Sequence, residues 1–261
     1  WEKGGADSMK GFAGLMKSEW MRIRHTALFW IHLVLPAAGA ALFLWYYSFA
    51  KWDIVDKVRM YLQVVSCVWP FLCGAVCSMA EEMEADCGYQ NFFSLPGRKF
   101  QAFLSKWCLL ILTGLFSCLV AVMGFALVYG LFPGGNVYAL TVYLKEAVVI
   151  WLGQAAVYLL HLVLAFSFGK GISVGIGILG TLSAFLMLTG MGDGIWMFFP
   201  WSWSGRFCFY LLLYMTGKDG KAEINPTIVN ELGICLVLFL LLTAAAFLWF
   251  WRYEGRRTES E

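Results

Sequence analysis

Six long stretches nearly free of charge constrain this chain more than any other feature. They cover residues 27–48, 58–80, 107–131, 147–168, 172–188 and 232–251. A helix rises 1.5 Å per residue, so crossing about 30 Å of hydrocarbon takes roughly twenty apolar residues. A backbone inside lipid must also satisfy its own hydrogen bonds, which leaves helices as the spanning form for runs of this length. Composition agrees: 61% of the residues are hydrophobic and 14% charged, against roughly 45–50% and about 25% in soluble domains. The expectation is an all-α membrane protein with six transmembrane helices. Pro36 and Pro70 fall inside the first two runs, which spanning helices tolerate when neighbours take up the freed backbone groups.

Residues 1–8 (WEKGGADS) precede Met9 and read as the remnant of an expression tag; the chain divides into that remnant, one transmembrane domain over 9–257 and a tail over 258–261. From 9 to 25 the pattern is amphipathic. Phe12, Leu15, Met16, Trp20 and Ile23 share one arc, with Lys10, Lys17 and Arg24 opposite. That predicts a helix lying in the membrane interface, with an ordinary polar lead into the first span as the alternative. Lysines and arginines collect on the inner side of a membrane. With both termini inside, eleven of them are cytosolic (Lys10, Lys17, Arg22, Arg24, Arg98, Lys99, Lys106, Lys170, Arg252, Arg256, Arg257) and seven are outside. Residues 195–215 are apolar but interrupted by Pro200, Arg206 and the break PWSWSG. A full span there would place Arg252, Arg256 and Arg257 outside. A re-entrant hairpin dipping from the outer face, followed by an outer loop over 218–231, keeps them in; a seventh span is the alternative.

The segment from Glu81 to Trp107 reads EEMEADCGYQNFFSLPGRKFQAFLSKW. Its acids (Glu81, Glu82, Glu84, Asp86) sit at the end of a helix, where the macrodipole disfavours negative charge, so solvent or basic partners must offset them. A short amphipathic stretch over 89–95 follows, then a Pro96-Gly97 turn and the basic pair Arg98-Lys99. Acids, a glycine, a short helix, leucine-proline-x-arginine and a lysine leading the next span together resemble type-2 ABC transporter permeases. In that family the short stretch is a coupling helix that docks on the ATP-binding subunit. The resemblance assigns coupling to Glu82, Gly88, Tyr89, Asn91, Phe92, Leu95, Pro96 and Arg98, with Lys106 also matching. Length and the segment from Gly88 to Trp107 look most like the permeases of lantibiotic self-immunity and antimicrobial-peptide resistance. Cys87 and Phe92-Phe93 stand where those permeases more often carry small residues or leucine.

The resemblance implies a bacterial plasma-membrane protein with both termini cytosolic. It implies two copies of a cytosolic ATP-binding subunit, which would hold the ATP and Mg, and a second permease, a paralogue. This chain would bind no cofactor of its own. A plain solvated turn is the alternative for the loop, and a generic exporter or a non-transporting membrane sensor or scaffold the alternative for the protein.

Other chemistries find little footing. The net charge of +2 and the lack of a basic run give no case for nucleic acid. The eight cysteines form no CxxC pair, and no GxxxxGK[ST] loop occurs. Glu81-Glu82 is similar to the paired glutamates of CAAX-type intramembrane proteases, but Asp86 stands where those need arginine. His32 and His161 fall at similar depth on the first and fourth spans; haem ligation or helix packing would both fit, and Gln154 near His161 favours a packed polar seam. Trp196, Phe198, Phe199, Trp201 and Trp203 crowd between Asp193 and Arg206. They read either as an interface anchor or as a contact surface for an amphipathic substrate, with Trp196, Phe199, Trp201, Trp203, Arg206 and Asp193 the candidate contacts.

Overall fold

The computed structural model describes residues 2–93, 99–135, 137–216 and 226–255, the side chains of 2–10, Asn91 and Pro226 excepted. Among these residues every regular element is helical: α1 (Glu2–Ile23), α2 (Ala27–Phe49), α3 (Ile54–Ala85), α4 (Gln90–Phe93), α5 (Lys99–Tyr129), α6 (Leu140–Phe168), α7 (Lys170–Met187), α8 (Trp203–Thr216) and α9 (Pro226–Arg252). Six are long and apolar enough to cross a membrane: α2, α3, α5, α6, α7 and α9. The chain is a multi-pass membrane protein. Each expected span lies within one of these helices or overruns its end by no more than two residues. Several helices run further: α3 continues to Ala85, α5 begins at Lys99, and α6 begins at Leu140 rather than at 147.

The helices are held by lipid-phase rules, in which small residues and buried hydrogen bonds set the contacts. α3 and α7 approach through glycines. A Cβ on Gly74 would stand 2.8 Å from the Ser173 carbonyl oxygen, and one on Gly177 would stand 2.9 Å from the Pro70 oxygen. Each helix-interior proline leaves a carbonyl without its usual donor four residues back. Both freed groups are taken up from a neighbour. Ser117 of α5 donates its hydroxyl to the His32 oxygen opposite Pro36, and Gln154 of α6 donates to the Ser66 oxygen opposite Pro70 at 3.2 Å.

The histidines serve the same packing. His32 bonds its ring nitrogens to the Leu28 oxygen (2.8 Å) and to Thr113 Oγ1 (3.3 Å). His161 pairs with Ser173 and receives the Trp201 indole N–H at 3.4 Å.

After α7 the chain turns back on itself through three short 3-10 turns, Gly190–Gly192, Trp196–Phe198 and Pro200–Ser202. At its return point Trp201 packs on Gly180, in the middle of α7. α8 then runs back past the end of α7, where Arg206 donates to the Met187 oxygen at 2.7 Å and the Thr189 oxygen at 3.0 Å. With 14 residues, α8 extends about 21 Å, short of a membrane crossing.

Candidate functional site

The end of α3 is where the sequence concentrates charge, and the structure supplies a partner for most of it. The helix stops in a Schellman turn: Tyr89 N–H donates to the Glu84 oxygen and Gly88 N–H to the Ala85 oxygen, both at 2.8 Å. Gly88 adopts φ +60°, the left-handed value this motif places on its first residue past the helix. Tyr89 follows with φ +57°, unusual for a bulky side chain. Its ring overdetermines the position. The hydroxyl donates to Glu81 Oε1 at 2.6 Å, and the ring meets Phe166 and Tyr253. Burial and the Glu81 bond hold its phenol above the ordinary range.

The buried Glu84 sits in a closed quartet of charge. Lys106 of α5 reaches Glu84 and Glu19 at 2.8 Å each, and Arg22 of α1 reaches Glu84 at 2.5 Å and Glu19 at 3.1 Å. Burial works against the Arg22 charge, but Glu19 and Glu84 outweigh it, and its pKa ends above the ordinary value. Two cations and two anions thus tie α1, α3 and α5 together with no net charge. Glu82 faces outward and pairs with Lys170 of α7 at 3.1 Å, with both side chains well exposed; such a surface pair adds little stability.

α4 lies under the ends of α6 and α9. Phe92 is 1% exposed and packs edge-on to Phe166 at 5.5 Å and Phe250 at 5.4 Å. Lys106 stands over the Phe92 ring at 5.9 Å. Lys99 caps the end of α9, donating to the Trp251 and Tyr253 oxygens, where the helix dipole favours a cation. The other face of the turn is open: Asp86, Cys87, Gly88, Gln90 and Phe93 are exposed, Phe93 at 40%. Of the expected coupling residues, Gly88, Tyr89 and Phe92 form the anchored inner part and Glu82 lies beside it. The side chain of Asn91 and the whole of Leu95, Pro96 and Arg98 lie outside the described residues.

The aromatic segment after α7 is turned mostly inward. Trp196 is fully buried and Trp203 nearly so, with its indole N–H donating to the Met197 oxygen at 2.8 Å. Phe199 and Trp201 are half-buried, and the buried Arg206 pairs with the outward Asp193 at 2.8 Å. The large apolar side chains left open on this segment are Met191, Ile195 and Phe198. Sequence reasoning missed Glu19, to which it gave no role, and Arg22, which it counted only among the cations of the inner side. It also missed Glu146, placed beyond the fourth span. The i, i+3 spacing of Glu19 and Arg22 was the available signal for the first two.

The fold is therefore that of a multi-pass helical membrane protein with a short helix pinned across one end. A family model described as "ABC-2 family transporter protein" matches residues 15–190. The chain belongs to this family of type-2 ABC transporter permeases, a membrane transport component that is not itself catalytic and whose membership implies an ATP-binding partner. Neither the curated proteins nor the solved structures give a match.

Proposed function

We propose that this chain is the permease subunit of a bacterial ABC transporter that removes an amphipathic antimicrobial peptide of lantibiotic type from the membrane. A separate ATP-binding subunit, in two copies, supplies the energy and the site for ATP and Mg, and a second, paralogous permease completes the pathway. The observation that carries the coupling part is the two-sided build of the α4 turn. Its inner face is fixed to four other helices by Phe92, Tyr89 and the Glu84 quartet, while its outer face presents Asp86, Gln90 and Phe93. A solvated turn has no use for such anchoring; a docking element that must transmit a push does.

Both termini and the α4 turn are then cytosolic. α1 lies at the cytosolic interface, an orientation supported by exposed Trp20, Met21, Lys17 and Arg24. The turned-back segment through α8 is re-entrant from the outer face, and Met191, Ile195 and Phe198 form the apolar rim that meets a peptide lodged in the outer leaflet.

The experiment is co-expression with the neighbouring genes of the operon. Phe93→Asp, at the exposed ring whose inner edge also meets Tyr253 and Lys99, is expected to abolish co-purification of an ATPase while membrane levels stay normal. In a sensitive host, the intact transporter should raise tolerance to membrane-active peptides, and this variant should not. Normal recovery of the ATPase with Phe93→Asp refutes docking through this face. A transporter that protects against no peptide leaves only a generic exporter or a scaffold.

A further inference from the structure

Among the described residues, one buried carboxyl has neither a cation nor an N–H or O–H donor on its oxygens. Glu146 lies on α6, roughly 9 Å of helix from the end at Leu140, opposite the α4 end of the bundle. It is 0% exposed, and neither of its oxygens has a hydrogen-bond partner among the described residues. Beside it stands the Cys208 thiol of α8, a weak donor at most. The cation on α8, Arg206, is committed to Met187, Thr189 and Asp193, and Lys145 points outward. Two helical turns along the same face of α6, Gln154 donates to Ser66 and Ser204, which leaves its Oε1 as a further acceptor with no partner. What lies unpaired along the α6–α8 contact is a row of acceptors.

The contact that covers them is close at one point. A Cβ on Gly153 would stand 2.8 Å from both the backbone nitrogen and the Cα of Ser204. The two helices meet backbone to backbone there, and the Ser204 hydroxyl bonds across to Gln154 and to the Ile150 oxygen.

An ionisable group within a spanning helix is costly, and its usual setting is a pathway for charged cargo. We propose that Glu146 is the receptor for an ammonium or guanidinium group of the transported molecule, uncovered when α8 moves off α6. This rests on the reading of the chain as a permease for an amphipathic peptide and adds the charge that the peptide must carry. A divalent cation fits poorly, since it would want six or more oxygen ligands and no cluster of three metal-ligating side chains exists among the described residues. An N–H-bearing cation needs one carboxylate and a few acceptors, which is what the seam holds.

The closed state then has a built-in release. With α8 seated, a charged carboxylate would be buried without a cation, which is strongly unfavourable, so the group takes a proton and lets the cation go. With α8 displaced, water reaches the carboxyl, it ionises, and it binds the cation. The proton comes from and returns to the outer water.

The test uses membranes carrying the whole transporter with ATP and Mg. Dicyclohexylcarbodiimide, which adds to protonated carboxyls in apolar surroundings, is applied and the adduct at Glu146 is quantified by mass spectrometry. The competing probes are an amphipathic peptide of leucine and lysine and its twin with every lysine acetylated. The lysine peptide is expected to lower labelling of Glu146 about tenfold, the loss that follows from one charge-assisted pair, and the acetylated twin to leave it unchanged. Glu146→Gln, an isostere of the neutral acid, should lower host tolerance of the lysine peptide by a similar factor at equal membrane level. Equal shielding of Glu146 from the label by both peptides, shielding by neither, or no labelling at all overturns the proposal; where the parent confers tolerance, so does a Glu146→Gln transporter that confers as much. Failure of the resistance reading looks different. The intact transporter then gives no tolerance to either peptide, while selective protection of Glu146 by the lysine peptide still supports the site.

Discussion

Removing one member of the Glu19–Arg22–Glu84–Lys106 quartet should cost far more than removing an opposite pair. Lys106 and Glu84 have side chains 4% and 0% exposed, Glu19 is 9% exposed and Arg22 is 22%, so solvent screening is weak for all but Arg22. Lys106→Met leaves two carboxylates around one guanidinium, and Glu19→Gln leaves two cations around one carboxylate. Breaking a buried pair from one side costs about 3–5 kcal/mol, whereas replacing both partners is often close to neutral. At about 2–4 °C per kcal/mol for a chain of this size, each single variant should lose on the order of 6–20 °C in thermal midpoint. The double variant retains the neutral Arg22–Glu84 pair at 2.5 Å and should lose only about 1–2 kcal/mol. The assay is fluorescence-detected gel filtration of the detergent-purified protein after heating. If the two single losses simply add in the double variant, the quartet is not a coupled unit and the account of how α1 is held to α3 and α5 is wrong.

Three further outcomes are expected. Ser117→Ala should destabilise by about 1–2 kcal/mol because the His32 oxygen loses its donor, and Pro36→Ala should remove most of that cost by restoring the backbone N–H; an equal cost in both backgrounds speaks against the capping role. Phe92→Ala should lower the thermal midpoint by an amount corresponding to about 3–5 kcal/mol, while Phe93→Ala should leave it nearly unchanged; the reverse order would mean that α4 is seated the other way round. In intact cells an impermeant maleimide should fail to label the native, exposed Cys87 and should label Tyr138→Cys at the opposite end; labelling of Cys87 from outside would invert the topology.

The six spans were legible because hydropathy over about twenty residues averages out local exceptions. The same averaging concealed their ends. Lys145 and Glu146 look like the edge of the fourth span, yet α6 begins at Leu140 and the acid is buried beside Cys208 of α8. The prolines were readable as helix-interior, and the need for donors from elsewhere followed; that Ser117 and Gln154 would supply them depended on tertiary register. Acids at the end of α3 advertised a need for cations. One of the three that answer, Arg22, comes from a helix more than sixty residues earlier, a pairing no local pattern encodes. The inward turn of Phe92 was equally hidden. A four-residue helix is too short for a hydrophobic period to say which face is which, and the aromatics it meets, Phe166 and Phe250, lie on distant helices.

On the proposed reading, a push on α4 travels unevenly. α3 and α7 are locked by glycine-mediated contact at Gly74 and Gly177, so they shift together. α6 is gripped at its α4 end through Phe166, and toward its far end it meets α8 at the Gly153–Ser204 approach and the Ser204 hydrogen bonds. The proposal places the relative motion between α6 and α8, over Glu146. Gly153→Ala probes this directly. A methyl group there would stand 2.5 Å from Ser204 Oγ and 2.8 Å from two Ser204 backbone atoms, distances that force backbone to move. The α6–α8 seam should then be held ajar without ATP, so that water ionises Glu146, and carbodiimide labelling in nucleotide-free membranes should fall several-fold below the parent. Gly175→Ala, whose added Cβ meets nothing within 4 Å, is the matched control and should leave labelling unchanged. If Gly153→Ala folds normally and Glu146 is labelled as strongly as in the parent, the seam does not gate the carboxyl, and the route to Glu146 lies elsewhere in the bundle.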